Sequence, residues 1–111
     1  MSLKELVDKI NLKVLVKGNL QSEVKDAYTG DLLSDVMANA KEGCLWITVQ
    51  KHLNIIAVAT LKNVAAIVIT GGREVPVETL QAAEKEGITL LLAQENSFEV
   101  SGKVYHLLKA S

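Results

Sequence analysis

The chain has 111 residues, of which 49% are hydrophobic and 23% charged, and its formal net charge is −1. This length fits one domain with one core, and the balanced charge lacks the clustered Lys and Arg that bind nucleic acid or anionic membranes. The charged N-terminal segment is unlike a signal peptide, and no apolar stretch is long enough to span a bilayer. The lone Cys44 allows no internal disulfide. We therefore expect a cytoplasmic protein.

The first half of the chain predicts two helices and two strands. Apolar residues repeat at helical spacing over residues 2–10, where Ser2 and Glu5 have the spacing of a capping box. The elements that follow are a short strand at 12–18 and a polar segment at 19–30, interpreted as a loop that could hold a short strand or a turn of helix. A helix at 31–40 that Gly43 stops and a buried strand at 44–49 come next.

The second half of the chain continues the alternation. Residues 51–63 are apolar almost all round, and we predict a helix there because two strong strand candidates flank them. Next come a strand at 65–70, a helix at 76–87 beginning at Pro76 and ending at Gly87, and a strand at 88–93. A last helix is capped by Asn96 or Ser97, with one face formed by Phe98, Ser101, Tyr105 and Leu108 beside Val104 and Leu107.

Strands that are apolar on both faces and alternate with helices are typical of a sheet covered on both sides. The pattern predicts an α/β fold, in which residues 1–111 form a single three-layer α/β/α domain. Its sheet is expected to be largely parallel, with four or five strands.

The segment Thr70-Gly71-Gly72-Arg73 is the first candidate binding site. It follows a predicted parallel strand, at the sheet edge where open α/β folds bind ligands. The two glycines could expose backbone N–H groups to a ligand. The start of the next helix favours an anion, and Arg73 adds a positive charge. A turn that needs positive φ would select the same glycines without any ligand, and the spacing matches neither dinucleotide nor P-loop motifs. Both interpretations remain open.

A neighbouring loop offers Gln50, His52 and Asn54, which could face the glycine pair because adjacent carboxyl-end loops converge. A histidine at a helix start is more often a cap or a surface residue than a base. The carboxylates of Asp31 and Asp35 could do acid–base work, but no third ligand accompanies them. The residues predict no metal site, no cofactor and no catalytic set.

Three segments give the chain a family resemblance: "DLLSDVMANA", "WITVQKHLNIIAVATLKNVAAIVITGGRE" and "NSFEVSGKVY". Together, and in this order, they resemble the DRTGG domain family, and the chain is also similar to the N-terminal domain of bacterial HPr kinase/phosphorylase. Thr70-Gly71-Gly72 matches the end of the family's name, whereas Val68 and Ile69 stand in place of Asp and Arg. The resemblance implies a regulatory α/β domain, often dimeric and found beside CBS domains, without established chemistry of its own.

The function expected from these observations is a non-catalytic regulatory or ligand-sensing module acting on a partner protein. A kinase is excluded, because the chain has no Gly-Lys-Ser/Thr to hold phosphates and Mg²⁺. The candidate ligand is a small anion or a phosphate-bearing metabolite such as an adenine nucleotide. The alternative is a small enzyme of unrecognised type that acts on a phosphorylated metabolite through His52 and Asp31 or Asp35.

Self-association is a further expectation, based on "LNIIAVATL" within residues 53–61. A helix that is apolar almost all round must be covered on more than one side. A two-fold homodimer would cover it. The alternative cover is the N- and C-terminal helices of the same chain.

Overall fold

A computed structural model describes residues 1–109 of the chain. The helices are α1 (Leu3–Lys9), α2 (Leu33–Asn39), α3 (Asn54–Lys62), α4 (Val77–Glu86) and α5 (Ser97–Lys109). The strands are β1 (Lys13–Val16), β2 (Ala27–Thr29), β3 (Leu45–Thr48), β4 (Ala66–Ile69) and β5 (Leu90–Leu92). The predicted alternation of helices and strands is confirmed from α2 onwards, and the segment interpreted as a loop at 19–30 contains the short strand β2.

The strands form one sheet in the order β1-β5-β4-β3-β2. β2, β3, β4 and β5 are parallel, and β1 pairs with β5 in the antiparallel sense, with an irregularity between Val14 and Val16. A charged, irregular and exposed edge strand resists pairing with other chains. The prediction of a largely parallel sheet with four or five strands is confirmed.

Alternate residues of β3, β4 and β5 pack in two separate cores, as the two-residue period of a strand requires. Trp46, Ile67, Ile69 and Leu90 face α2, α3 and α4, whereas Leu45, Ile47, Val68 and Leu91 face α1 and α5. The helix layers therefore lie on opposite faces of the sheet. The three-layer prediction is correct, and the two cores share only the sheet between them.

Helix ends follow the sequence closely where capping chemistry is present. Ser2 and Glu5 form the predicted capping box at the start of α1. Gly87 ends α4 in the left-handed conformation, and Pro76 precedes the first helical residue. The prediction for α2 was too long, because this helix ends at Asn39 and Gly43 belongs to the turn that leads into β3.

α5 does not pack on the sheet mainly through the face formed by Phe98, Ser101, Tyr105 and Leu108. Val100 and Val104 are its buried residues, while Phe98 and Tyr105 have exposed fractions of 85% and 67%. Glu99 N donates to Asn96 Oδ1, which confirms Asn96 as the cap. Helical spacing shows which residues share a face of α5, and the structure shows that the face with the two valines is the one packed on the sheet.

The alternative cover for α3 is also wrong. α1 and α5 pack on the opposite face of the sheet, and α3 lies between α2 and α4. The side of α3 that turns away from the sheet remains exposed, with Leu53 and Leu61 both largely accessible.

We predict that Trp46→Phe lowers the free energy of unfolding by about 2–4 kcal/mol. Trp46 is fully buried and its Nε1 donates to Gly30 O at 2.9 Å, so the variant loses packing and leaves a carbonyl without its donor. Chemical denaturation followed by circular dichroism measures the change. Ile47→Val, which removes one methyl group on the opposite face of the same strand, is the control and should cost about 0.5–1.5 kcal/mol. A loss below that of the control would contradict the prediction.

Candidate functional site

The candidate site lies at the carboxyl edge of the sheet, where the loops that follow the four parallel strands meet. We define the carboxyl-edge site as Asp31, Thr48, Gln50, Thr70, Gly71, Gly72, Arg73 and Ser97. Thr48 follows the last apolar residue of β3, and Thr70 follows the end of β4. Both threonines are fully buried, and each ties its loop to a neighbouring element.

Asp31 is held against the end of β3. Its Oδ1 accepts hydrogen bonds from Thr48 Oγ1 and from Val49 N, both at 2.9 Å. Gln50 closes the network, because its Nε2 donates to Asp31 O at 2.9 Å and its N donates to Thr48 Oγ1 at 3.1 Å. The three hydrogen bonds to Asp31 join the loop after β2 to the loop after β3.

Thr70 lies beneath the loop rather than on its surface. Its N donates to Thr48 O at 3.0 Å, and its Oγ1 is 2.8 Å from Ser97 Oγ. This residue therefore links β3, β4 and the start of α5. A ligand above the loop would meet Thr70 only after displacing Ser97.

Gly71 and Gly72 both have positive φ, of 85° and 63°. Their amides are already engaged, since Gly71 N donates to Glu95 O and Gly72 N donates to Ala93 O, each at 2.8 Å. The turn interpretation therefore accounts for both glycines. In this conformation neither amide is free to bind an anion.

Arg73 is the exposed cation of the loop. Its Nε donates to Thr70 O at 3.1 Å, and the guanidinium lies over Gly71. The guanidinium has five N–H donors, and this hydrogen bond uses only the one on Nε. Arg73 is also the only arginine in the sequence.

His52 and Asn54 lie at the start of α3, and both are exposed. Leu53, rather than Asn54, occupies the cap position, and no side-chain hydrogen bond caps this helix. The loop that carries His52 is fixed from the other side by Thr79 Oγ1, which donates to Lys51 O at 2.8 Å. The structure thus connects Gln50 to Thr70 through Thr48, and places His52 and Asn54 further out.

The other candidate groups have separate partners. Asp35 accepts from the Tyr28 hydroxyl and from Asn39 Nδ2, and the hydrogen bond between Tyr28 and this carboxylate raises the pKa of Tyr28. Asp31 and Asp35 therefore do not form a pair around one reacting atom. Cys44 is buried, and burial raises the pKa of its thiol, the opposite of what a nucleophilic cysteine needs.

Sequence reasoning missed three contributors to this edge. Thr48 and Ser97 hold the loops together, and Phe98 stands exposed next to Ser97. The sequence did contain a signal for Thr48, because the apolar runs in "WIT" and "IVIT" are each followed directly by a threonine. Exposure of Phe98 had no such signal, since its position on the helix suggested burial.

Two negative findings concern residues 1–109. Within this part of the chain no three His, Cys, Asp or Glu side chains are grouped as metal ligands. No helix described there combines the length and apolar character needed to cross a bilayer.

The chain is similar in fold to a solved regulatory region. The structure of the CBS and DRTGG domains of the regulatory region of Clostridium perfringens pyrophosphatase, complexed with the activator diadenosine tetraphosphate, matches 93% of this chain with a TM-score of 0.72. Sequence identity is 18%, a level at which the likeness shows the fold. The chain corresponds to 45% of that regulatory region, so it spans less than half of its length.

A search of curated proteins finds no significant match. The sequence model of the DRTGG domain, by contrast, matches residues 5–107, which include every strand and the whole carboxyl edge. The match agrees with the fold shared with the pyrophosphatase regulatory region. This chain belongs to the DRTGG domain family.

Proposed function

We propose that this chain is a non-catalytic regulatory domain that binds a small phosphate-bearing ligand at its carboxyl edge and acts on a partner protein. The observation that carries the proposal is Arg73, an exposed guanidinium anchored through Nε to a loop that is itself fixed by hydrogen bonds. A cation on a rigid loop is pre-organised for an anion, which lowers the entropy lost on binding.

An adenine nucleotide is the ligand that we favour within this class. The neighbouring regulatory region was crystallised with a dinucleotide activator, and family likeness makes a nucleotide the first candidate here. Phe98 is an exposed aromatic residue at the start of α5, and it directly follows Ser97, whose Oγ lies 2.8 Å from Thr70 Oγ1. Arg73 would bind the phosphate groups and Phe98 would stack on the base.

Gln50, His52 and Asn54 complete the proposed ligand surface from the loop after β3. Gln50 and His52 belong to the loop between β3 and α3, and Asn54 is the first residue of α3, whereas Phe98 belongs to α5 on the other face of the sheet. A ligand that spans the edge would therefore contact both helix layers. Gly71 and Gly72 would shape the loop that carries Arg73 rather than donate amide hydrogen bonds, because both amides are already engaged.

The partner protein is proposed from family membership, since DRTGG domains accompany other domains in regulatory proteins. Cytoplasmic location is proposed from the single, buried Cys44. Similarity to the N-terminal domain of HPr kinase/phosphorylase stays a prediction from the sequence.

We predict that a nucleotide at a hundredfold excess over its dissociation constant stabilises the domain by about 2.7 kcal/mol. For a domain of this size the melting temperature should rise on the order of 10 °C. Thermal shift with AMP, ADP, ATP, diadenosine tetraphosphate, phosphate and pyrophosphate measures the effect. Arg73→Ala should weaken binding about 10- to 150-fold, because a hydrogen bond to a charged group is lost.

The matched control is Lys85→Ala, which removes one exposed cation from the far end of α4. This variant should bind as the wild type does. Equal losses in both variants would indicate a general charge effect and contradict a site at Arg73. No shift with any of these compounds would leave partner binding alone as the proposed function.

We predict that Phe98→Ala weakens nucleotide binding by about 5- to 150-fold and leaves pyrophosphate binding unchanged, because only the base stacks. Tyr105→Ala is the control, since Tyr105 is an exposed aromatic residue on the same helix but two turns from the loop. Isothermal titration calorimetry measures both affinities. A loss for pyrophosphate as large as that for nucleotides would refute stacking as the role of Phe98.

We predict no turnover of nucleotides or phosphoesters by the purified chain. The alternative enzyme would use His52 with Asp31 or Asp35, but these two carboxylates lie in different hydrogen-bond networks. Product formation followed by liquid chromatography is the measurement. Turnover that vanishes in His52→Ala and persists in the surface variant His106→Ala would establish the enzyme instead.

A further inference from the structure

α3 presents an apolar stripe that no other part of residues 1–109 covers. Ile55, Ile56, Val58 and Ala59 are buried, while Leu53, Ala57 and Leu61 are exposed, with exposed fractions of 53% and 72% for the two leucines. The three exposed residues are spaced four apart and so lie along one side of the helix. Together with Ala82 and Glu86 of α4 they line a groove of about 420 Å³.

The stripe is symmetric about its own centre. Ala57 lies four residues after Leu53 and four residues before Leu61. When two copies of such a helix pack antiparallel with their Ala57 residues at the crossing, Leu53 of each copy meets Leu61 of the other. A two-fold interface needs this self-complementarity, and a small residue at the crossing lets two helices approach closely.

The charges at the two ends of the groove are complementary. Lys51 and His52 precede α3, whereas Glu86 lines the groove at the opposite end. Antiparallel pairing brings Lys51 and His52 of one copy towards Glu86 of the other. It also sets the positive N-terminal end of each helix against the negative C-terminal end of its mate.

We propose that α3 pairs with α3 of a second copy across a two-fold axis at Ala57, with Leu53 and Leu61 filling each other's grooves. This interface lies on a different surface from the carboxyl-edge site and does not depend on the proposed ligand. In the dimer, α3 of the second copy covers the apolar stripe, which α1 and α5 leave exposed.

The first test is the molar mass of the full chain by light scattering and sedimentation velocity between about 10 and 500 μM. The wild type should form dimers, and Ala57→Glu should be monomeric throughout, because it places two carboxylates at one crossing point. Ala57 is exposed, so this variant should fold normally by circular dichroism. A monomeric wild type over the whole range, or an Ala57→Glu variant that still dimerises, overturns the proposal.

The second test locates the axis. Ala57→Cys should form a disulfide-linked dimer under mild oxidation, because only a residue near the two-fold axis meets its own copy at the Cβ separation of about 3.5–4.5 Å that a disulfide requires. Tyr105→Cys, exposed on the opposite helix layer, is the control and should stay uncrosslinked. Both carry Cys44→Ala to remove the native thiol. Equal crosslinking of the two variants overturns the assignment.

The third test exploits the exchange of leucines between copies. Leu53→Lys and Leu61→Glu should each weaken the dimer at least tenfold, and the double variant in one chain should recover much of that loss. Recovery requires the introduced lysine of one copy to meet the introduced glutamate of the other, since the two positions are two turns apart within one helix. Additive losses in the double variant contradict antiparallel pairing.

Discussion

Burial of β3 and β4 on both faces is the constraint from which the rest of the structure follows. Every residue of these two strands is buried, so each face needs its own cover. Parallel neighbours can be joined only by crossover segments, and those segments supply the covering helices. The same crossovers bring the loops after the strands to one edge, where Thr48 and Thr70 replace apolar residues at the point at which the sheet ends.

The positions of β1, β3, β4 and β5 and of most helices were readable from the sequence because their signals are local. The three-residue strand β2 lies in a polar segment that was interpreted as a loop. The continuous apolar runs of β3, β4 and β5, the capping box of α1 and the Gly87 stop of α4 all depend on neighbouring residues. The direction of β1 was not readable in the same way. Its pairing with β5 joins segments about 75 residues apart, and neither segment carries a mark of its partner's orientation.

The buried face of α5 and the missing cover of α3 were not foreseen for the same physical reason. The spacing of apolar residues shows which residues share a face of a helix, but it does not show which face packs against the sheet. In α5 the buried residues that pack on the sheet are Val100 and Val104. Phe98 and Tyr105 remain exposed to solvent. Likewise, the apolar character of α3 predicted a need for cover without indicating that α1 and α5 lie across the sheet.

The position of the candidate site in the fold could be predicted from the sequence, whereas its hydrogen bonds could not. Topology alone put the Thr70–Arg73 loop and the loop of Gln50 at one edge, as the structure shows. The hydrogen bonds of the Gly71 and Gly72 amides could not be foreseen from the sequence. Their acceptors, Glu95 O and Ala93 O, lie just after β5 and are more than 20 residues away along the chain. The glycines are therefore explained by backbone geometry, while Arg73 is the group that this geometry leaves accessible.

The loop of residues 49–53 is common to the two surfaces for which we propose roles. At one end Gln50 is bonded to Asp31 and Thr48, and at the other end Leu53 begins the exposed stripe of α3. Between them Lys51 O accepts from Thr79 of α4, so the loop is restrained by three elements. A ligand that shifts this loop must therefore act on the start of α3. By thermodynamic linkage, any preference of the ligand for the paired form equals the preference of the pair for the ligand. The linkage would give the domain a means of reporting a bound metabolite to the proposed partner.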